Sequence, residues 1–149
     1  MKKSISAILL LLSLTAIAQK NAALILVDAT QQKWIGGHPS SGSGERYVVF
    51  MKLNSTENIE VTKLWINKEE VFFELQNYRM LLNRAATKGD TIAAIYNPRY
   101  HNEKPELNPV EKSKTCKSKN QALVEYSINQ KKYYLKVKKF RILEADKHM

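Results

Sequence analysis

The chain has 149 residues, with 24 Lys and Arg against 14 Asp and Glu, a formal net charge of +10 and one cysteine. That length suits a single domain with a modest core, and a lone cysteine excludes an intrachain disulfide. The positive surplus favours solubility and attracts anions in general without naming one.

The first element is a leader. Lys2 and Lys3 precede an apolar run from Ile5 to Leu14, and Ala16-Ile17-Ala18 follows. Charge, apolar block and small-residue site make up a secretory signal peptide over residues 1–18, with cleavage expected after Ala18. The apolar block is shorter than the roughly 20 residues a membrane helix needs. Cleavage would leave residues 19–149 as one domain in the periplasm or outside the cell, and loss of Lys2 and Lys3 would lower the formal charge to +8. No later apolar stretch approaches membrane length, so no transmembrane segment is expected in the mature chain.

Short β-branched and apolar runs between polar turns then predict strands. "LILVDAT" (24–30) is the first and "RYVVFMKL" (46–53) the second. Between them "WIGGHPSSGSGERY" (34–47) holds four of the five glycines. Ser43 stands where a P-loop needs lysine, no serine has the glycine flanks of a nucleophile elbow, and a strand follows where a dinucleotide fingerprint needs a helix. The stretch therefore reads as a strand connection using glycine's conformational freedom, ahead of a weak anion site made by its N–H groups.

"IEVTKLWIN" (59–67) alternates through Ile59, Val61, Lys63 and Trp65, with Leu64 and Ile66 opposite, and so reads as buried on both faces near its end. Residues 67–90 support two readings. Asn67 and Glu70 have capping-box spacing, Val71, Leu75, Tyr78 and Leu82 repeat at helical intervals, and Gly89 would end a helix. Yet Val71, Phe73 and Leu75 also alternate, and "RMLLN" reads as a further strand. Two strands are preferred, because the flanking runs are β-like and a lone helix needs a face to bury against. "DTIAAIY" (90–96) is the next strand and ends at Asn97-Pro98.

A long polar loop occupies about 98–120, with prolines at 98, 105 and 109 and lysines at 112, 114, 117 and 119. A hairpin follows, with Ala122, Val124, Tyr126 and Ile128 on one face, Glu125 and Ser127 on the other, "NQKK" as the turn, and "YYLKVKKFRIL" returning. The apolar phase shifts at Phe140, which a bulge near Lys138-Lys139 would absorb. The tail "EADKHM" reads as loose. About seven or eight short strands fit an all-β, two-sheet antiparallel sandwich.

The candidate ligand-binding residues are Tyr96, Arg99, Tyr100 and His101 in "YNPRYHNEKP", which place aromatic faces beside hydrogen-bond donors on a loop. The competing role for Tyr96 and Tyr100 is to cover the end of the core. His38, His101 and His148 lack metal-ligand spacing, so no metal or cofactor is expected. No catalytic set is legible. Cys116, among lysines, is either a reactive thiol or an incidental loop residue. Six basic residues and no acid run from Lys131 to Arg141, suiting either weak anion binding or protection of a strand edge. Nucleic acid is the disfavoured partner.

"AIAQ", "WIGGHPSSGSGERY", "KLWIN", "KGDTI" and "ALVEYSINQKKYYLKVKKF" together resemble small secreted proteins of Bacteroidota, especially flavobacteria. The resemblance implies an immunoglobulin-like sandwich exported to the periplasm or beyond, and no activity. The lysine-rich segment around Cys116 departs from that pattern. The expected function is non-catalytic binding of an envelope glycan or protein, or a structural accessory role in the envelope. The alternative is a small hydrolase acting on envelope carbohydrate or peptide.

Overall fold

A computed structural model describes residues 22–36, 42–77, 86–98 and 122–147. The expected leader, Cys116, all three histidines, "RMLLN" and most of 98–120, expected to be a loop, lie outside the described residues. Those described form nine strands and no helix: β1 Leu24–Ile35, β2 Ser43–Leu53, β3 Ile59–Ile66, β4 Glu69–Val71, β5 Glu74–Asn77, β6 Thr91–Tyr96, β7 Ala122–Ile128, β8 Lys131–Val137 and β9 Arg141–Lys147. Sheet A has the order β5-β6-β2-β1-β9 and sheet B the order β4-β3-β7-β8. The all-β, two-sheet sandwich expected from the alternation is the fold. In 67–77 the residues form strands and not a helix, but the alternation through Val71, Phe73 and Leu75 does not run as one strand: β4 ends at Val71 in sheet B and β5 starts at Glu74 in sheet A.

Each sheet turns one set of alternating side chains inward. Val49 and Met51 of β2, Ala94 of β6, Leu64 of β3 and Val124 of β7 are fully buried in one cluster. Two bulges keep this alternation in phase. In β1 the register shifts between Leu26 and Asp28, so Val27 is the extra residue and Ala29 still faces in. In β3 it shifts between Val61 and Lys63, which makes Thr62 the extra residue. A bulge sets two residues against one and re-aims the side chains beyond it. Ile59, Val61, Leu64 and Ile66 therefore all face the core, and Lys63 and Trp65 face outward. The phase change read as two-sided burial is a bulge.

Two tight turns set the registers of sheet B. Asn67-Lys68 joins β3 to β4 and Asn129-Gln130 joins β7 to β8, with both central residues at positive φ in each (51° and 74°; 50° and 66°). That is the type I′ pattern, whose twist matches the strands it joins, and asparagine tolerates the left-handed region better than most residues. The turn is thus two residues long, and Lys131 and Lys132 belong to β8.

The phase shift after Val137 is a change of sheet rather than a bulge. β8 is the edge of sheet B, residues 138–140 leave it, and β9 joins sheet A in parallel with β1, pairing Thr30 with Arg141 and Ile35 with Lys147. Phe140, 3% exposed, anchors the crossing in the core. Residues 144–147, expected to be loose, are held by this ladder, and one parallel pair enters an otherwise antiparallel sandwich.

Candidate functional site

The described parts of the two segments singled out in the sequence, 34–36 with 42–47 and 96–98, meet at one end of the sandwich, where Tyr47 pairs with Tyr96. The β1–β2 connection, the Asn67-Lys68 turn, the end of β6 and the start of β7 all lie there. Its floor is aromatic. Tyr47 stacks on Tyr96, with centroids 6.3 Å apart at 19°, and receives the edge of Phe140 at 5.2 Å and 71°. The Tyr47 hydroxyl donates to Glu45 Oε2 at 2.6 Å, and Gln31 Nε2 donates to the same oxygen at 3.0 Å. Burial first, then the hydrogen bond and charge of Glu45, hold the Tyr47 hydroxyl far above the usual phenol value, against a smaller opposing effect of Asn67. Burial and the charge of Glu69 raise Tyr96 as well. Of the sequence candidates, Tyr96 is half-buried on this floor. Arg99, Tyr100 and His101 lie outside the described residues.

The glycine stretch is a same-sheet hairpin over its described part. Gly36 N–H donates to the Gly42 carbonyl at 3.0 Å, and Gly42 sits at φ +68°. Gly44 has a different role. It pairs with Trp34 across the ladder, and a Cβ there would lie 2.8 Å from the indole ring. The ring covers the glycine, so no larger residue fits without moving Trp34.

A second polar cluster stands on the outward face of sheet B, and sequence reasoning missed it. Glu125 of β7 points away from the core, as the alternation requires, yet it is only 4% exposed. Thr62 Oγ1 donates to Glu125 Oε1 at 2.9 Å, the Tyr134 hydroxyl donates to Oε2 at 3.0 Å, and Lys132 Nζ stands 3.3 Å from Oε1. Burial alone would raise this carboxyl, but the hydrogen bonds of Thr62, Tyr134 and Lys132 and the charge of Lys132 together hold it below the usual carboxylate range. The β3 bulge matters here, because the inserted residue is the one that supplies the Thr62 hydroxyl. Counting outward from a two-residue Asn129-Gln130 turn sets Glu125 opposite Tyr134, as observed. Taking all four residues of "NQKK" as the turn shifts that register and hides the pair.

Tyr134 is 54% exposed although its hydroxyl is tied down, so its ring is presented at a fixed orientation. Lys132 and Lys136 flank it two residues away on the same outward face. Lys131, Lys136, Lys138 and Lys139 are exposed and have no acidic partner within ion-pair distance among the described residues, whereas Lys132 and Arg141 pair with Glu125 and Asp28. Across the same face, Lys63 pairs with Glu70 at 3.4 Å and lies 5.9 Å over Trp65.

At the opposite end a cleft of about 950 Å³ opens between the sheets, with Leu53, Val61 and Ile92 at its base and Glu57, Glu60 and Lys88 among its polar lining. Glu57 Oε1 accepts from Asn129 Nδ2 at 3.1 Å. Among the described residues no group of three or more His, Cys, Asp or Glu side chains could hold a metal ion, and no helix is long and apolar enough to cross a membrane. Fold and sites together define a two-sheet β-sandwich with an aromatic floor at its loop end and a charged, aromatic outward face on sheet B. No protein-family model, curated protein or solved structure matches the chain.

Proposed function

We propose that this protein is exported by its leader to the periplasm or beyond and acts there as a non-catalytic binding or structural accessory of the cell envelope, with the outward face of β7 and β8 as its contact surface. The immunoglobulin-like subclass and the kinship with secreted Bacteroidota proteins belong to this proposal. One observation carries it: Tyr134 is 54% exposed while Glu125 fixes its hydroxyl, and lysines stand on both sides. Rigid aromatic area with polar neighbours gives contact at low entropy cost and needs no acid, base or nucleophile. The Tyr96 end is a second contact surface in this proposal, since the loop carrying Arg99, Tyr100 and His101 starts there.

The test is retention of the mature chain on envelope fractions, with Tyr134→Ala and Tyr100→Ala in parallel. Loss with Tyr134→Ala supports the sheet B face, and loss with Tyr100→Ala alone moves the site to the loop end. Retention unchanged in both variants overturns both surfaces. The hydrolase alternative has one supporting observation, the cleft with Glu57 and Glu60 on its lining. Turnover of envelope carbohydrate or peptide that disappears in Glu57→Gln or Glu60→Gln would establish it.

A further inference from the structure

We infer that the cleft between the sheets takes an extended peptide of a partner protein, which adds as a strand to the open edge of β3 at residues 59–63 and alternates apolar with basic side chains. The site lies at the other end of the sandwich from Tyr96 and makes no use of the β7–β8 face, so it stands or falls separately from that contact surface.

Three features point to it. The first is an unfinished ladder. β3 pairs with β7 from Ile59 to Ile66, but on its other side β4 covers only Leu64, Trp65 and Ile66. After Val71 the chain leaves sheet B, and β5 begins at Glu74 in sheet A. Residues 59–63 therefore have no strand neighbour on that side among the described residues. An edge of this kind presents backbone N–H and C=O groups to a further chain, and main-chain hydrogen bonds supply the affinity when a peptide adds to it. The stretch spans about 16 Å at the roughly 3.3 Å rise per residue of a strand, the reach of a short extended peptide.

The second feature is the space beside that edge. The cleft of about 950 Å³ lies between residues 59–61 of β3 in sheet B and Leu53, Leu75 and Ile92 of sheet A. Ile59 and Val61 point into the sandwich, so the inward side chains of an added strand would meet them and the aliphatic residues opposite. Leu75 is 47% exposed, and such a strand would take its side chain out of water.

The third feature is charge. Glu60 stands on the opposite face of β3 from Ile59 and Val61, is exposed, and has no hydrogen-bond or ion-pair partner among the described residues. With Glu57 it gives the described lining of the cleft two carboxylates against one cation, Lys88, in a chain whose net charge is +10. The side chains of an added strand that point away from the core lie beside Glu60, and opposite charges facing each other across a strand pair are favourable. An apolar inward face and a basic outward face together satisfy what this edge presents.

The test measures binding of the full mature chain to a short synthetic peptide alternating lysine and valine. Its controls are a glutamate–valine peptide of the same length and a peptide of the lysine–valine composition in block order. Two further copies of the lysine–valine peptide carry N-methyl groups on alternate residues, one copy for each edge of the strand. The lysine–valine peptide should bind, and amides within 59–63 that exchange fast in the free chain should slow in the complex. One N-methylated copy should bind like the parent and the other roughly tenfold more weakly, because only one edge of the added strand bonds β3. Glu60→Gln should weaken binding roughly twofold to fivefold. Glu60→Lys should turn the preference towards the glutamate–valine peptide, with the melting midpoint of each variant as a check on folding.

Slow exchange throughout 59–63 in the free chain would mean that the edge is already covered within the molecule, and would overturn the inference. Equal binding of the block-ordered peptide, or equal behaviour of the two N-methylated copies, would show that no strand is added and would also overturn it. A peptide preference indifferent to Glu60→Lys would remove the basic partner. Recovery of the bound peptide in shortened form would make the cleft hydrolytic and end the docking reading. Tyr134→Ala should leave peptide binding unchanged; a loss there, at an unchanged melting midpoint, would move the peptide to the β7–β8 face and sink the cleft as its site.

Discussion

Glu45 and Glu125 each accept a hydrogen bond from a tyrosine of their own sheet, at 2.6 Å from Tyr47 and 3.0 Å from Tyr134. Each has further donors, Gln31 for Glu45 and Thr62 with Lys132 for Glu125. The two tyrosines nevertheless end in opposite surroundings, Tyr47 7% exposed and Tyr134 54% exposed. Strand geometry decides the difference. Glu45 and Tyr47 are two residues apart on one strand, so both point inward and the pair seals the loop end over Phe140. Glu125 and Tyr134 face each other across β7 and β8 on the outward side. One interaction thus closes a core in the first case and fixes a solvent-facing ring in the second, and energy alone does not reveal which positions serve a ligand.

This contrast is open to direct attack. Tyr47→Ala removes a buried ring from contact with Tyr96 and Phe140 and should cost about 3 to 5 kcal/mol in chemical denaturation. A loss no larger than that of Tyr134→Ala would erase the distinction between the two pairs. Gly44→Val, at the same end, forces the Trp34 ring aside and should cost about 1 to 3 kcal/mol, with a shift in tryptophan emission. Unchanged emission would mean that the ring does not rest on the glycine.

Glu125→Gln keeps the volume and removes the charge, and should cost about 1 to 2 kcal/mol at neutral pH. The sign with pH follows from linkage. The folded carboxyl titrates below its unfolded value, so its contribution is complete above the ordinary carboxylate range and disappears as pH falls through the folded value. Melting midpoints from neutral to acid pH should therefore fall less steeply in the variant. Equal slopes would show that Glu125 is no better stabilised folded than unfolded.

Tyr134→Ala should cost only about 0.5 to 1.5 kcal/mol, the value of one hydrogen bond, while weakening ligand retention. The smallest effect is expected at Asp28, whose carboxylate accepts from Arg141 Nη2 on the exposed face of sheet A. Arg141 holds Asp28 below the usual carboxylate range, but solvent screens the pair, and Asp28→Asn should leave the melting midpoint unchanged at moderate salt. A clear drop would make this pair an organiser of the β9 crossing.

Much of the architecture was legible because a strand's period of two is written directly in the side chains. "ALVEYSI" announced both its buried face and the outward placement of Glu125, and all four inward residues, Ala122, Val124, Tyr126 and Ile128, are buried. The sites were less legible. Tyr96 was found as an aromatic beside a turn, but its stacking on Tyr47 joins residues far apart in sequence, and no local pattern encodes that contact. Glu125 was missed because an outward acid looks solvated until its strand partner is known, and that partner depends on whether the turn has two residues or four.

By itself the sequence determined the class of fold and most strand positions, because alternation, β-branching and turn residues act locally. Tertiary structure decided which strands became neighbours. It sent β9 to sheet A beside β1, used Thr62 as an inserted residue to reach Glu125, and laid Trp34 over Gly44. The physical reason is that a bulge, a crossing or a cross-strand contact is stabilised by groups distant in the chain, so its energy exists only after the sheets have formed.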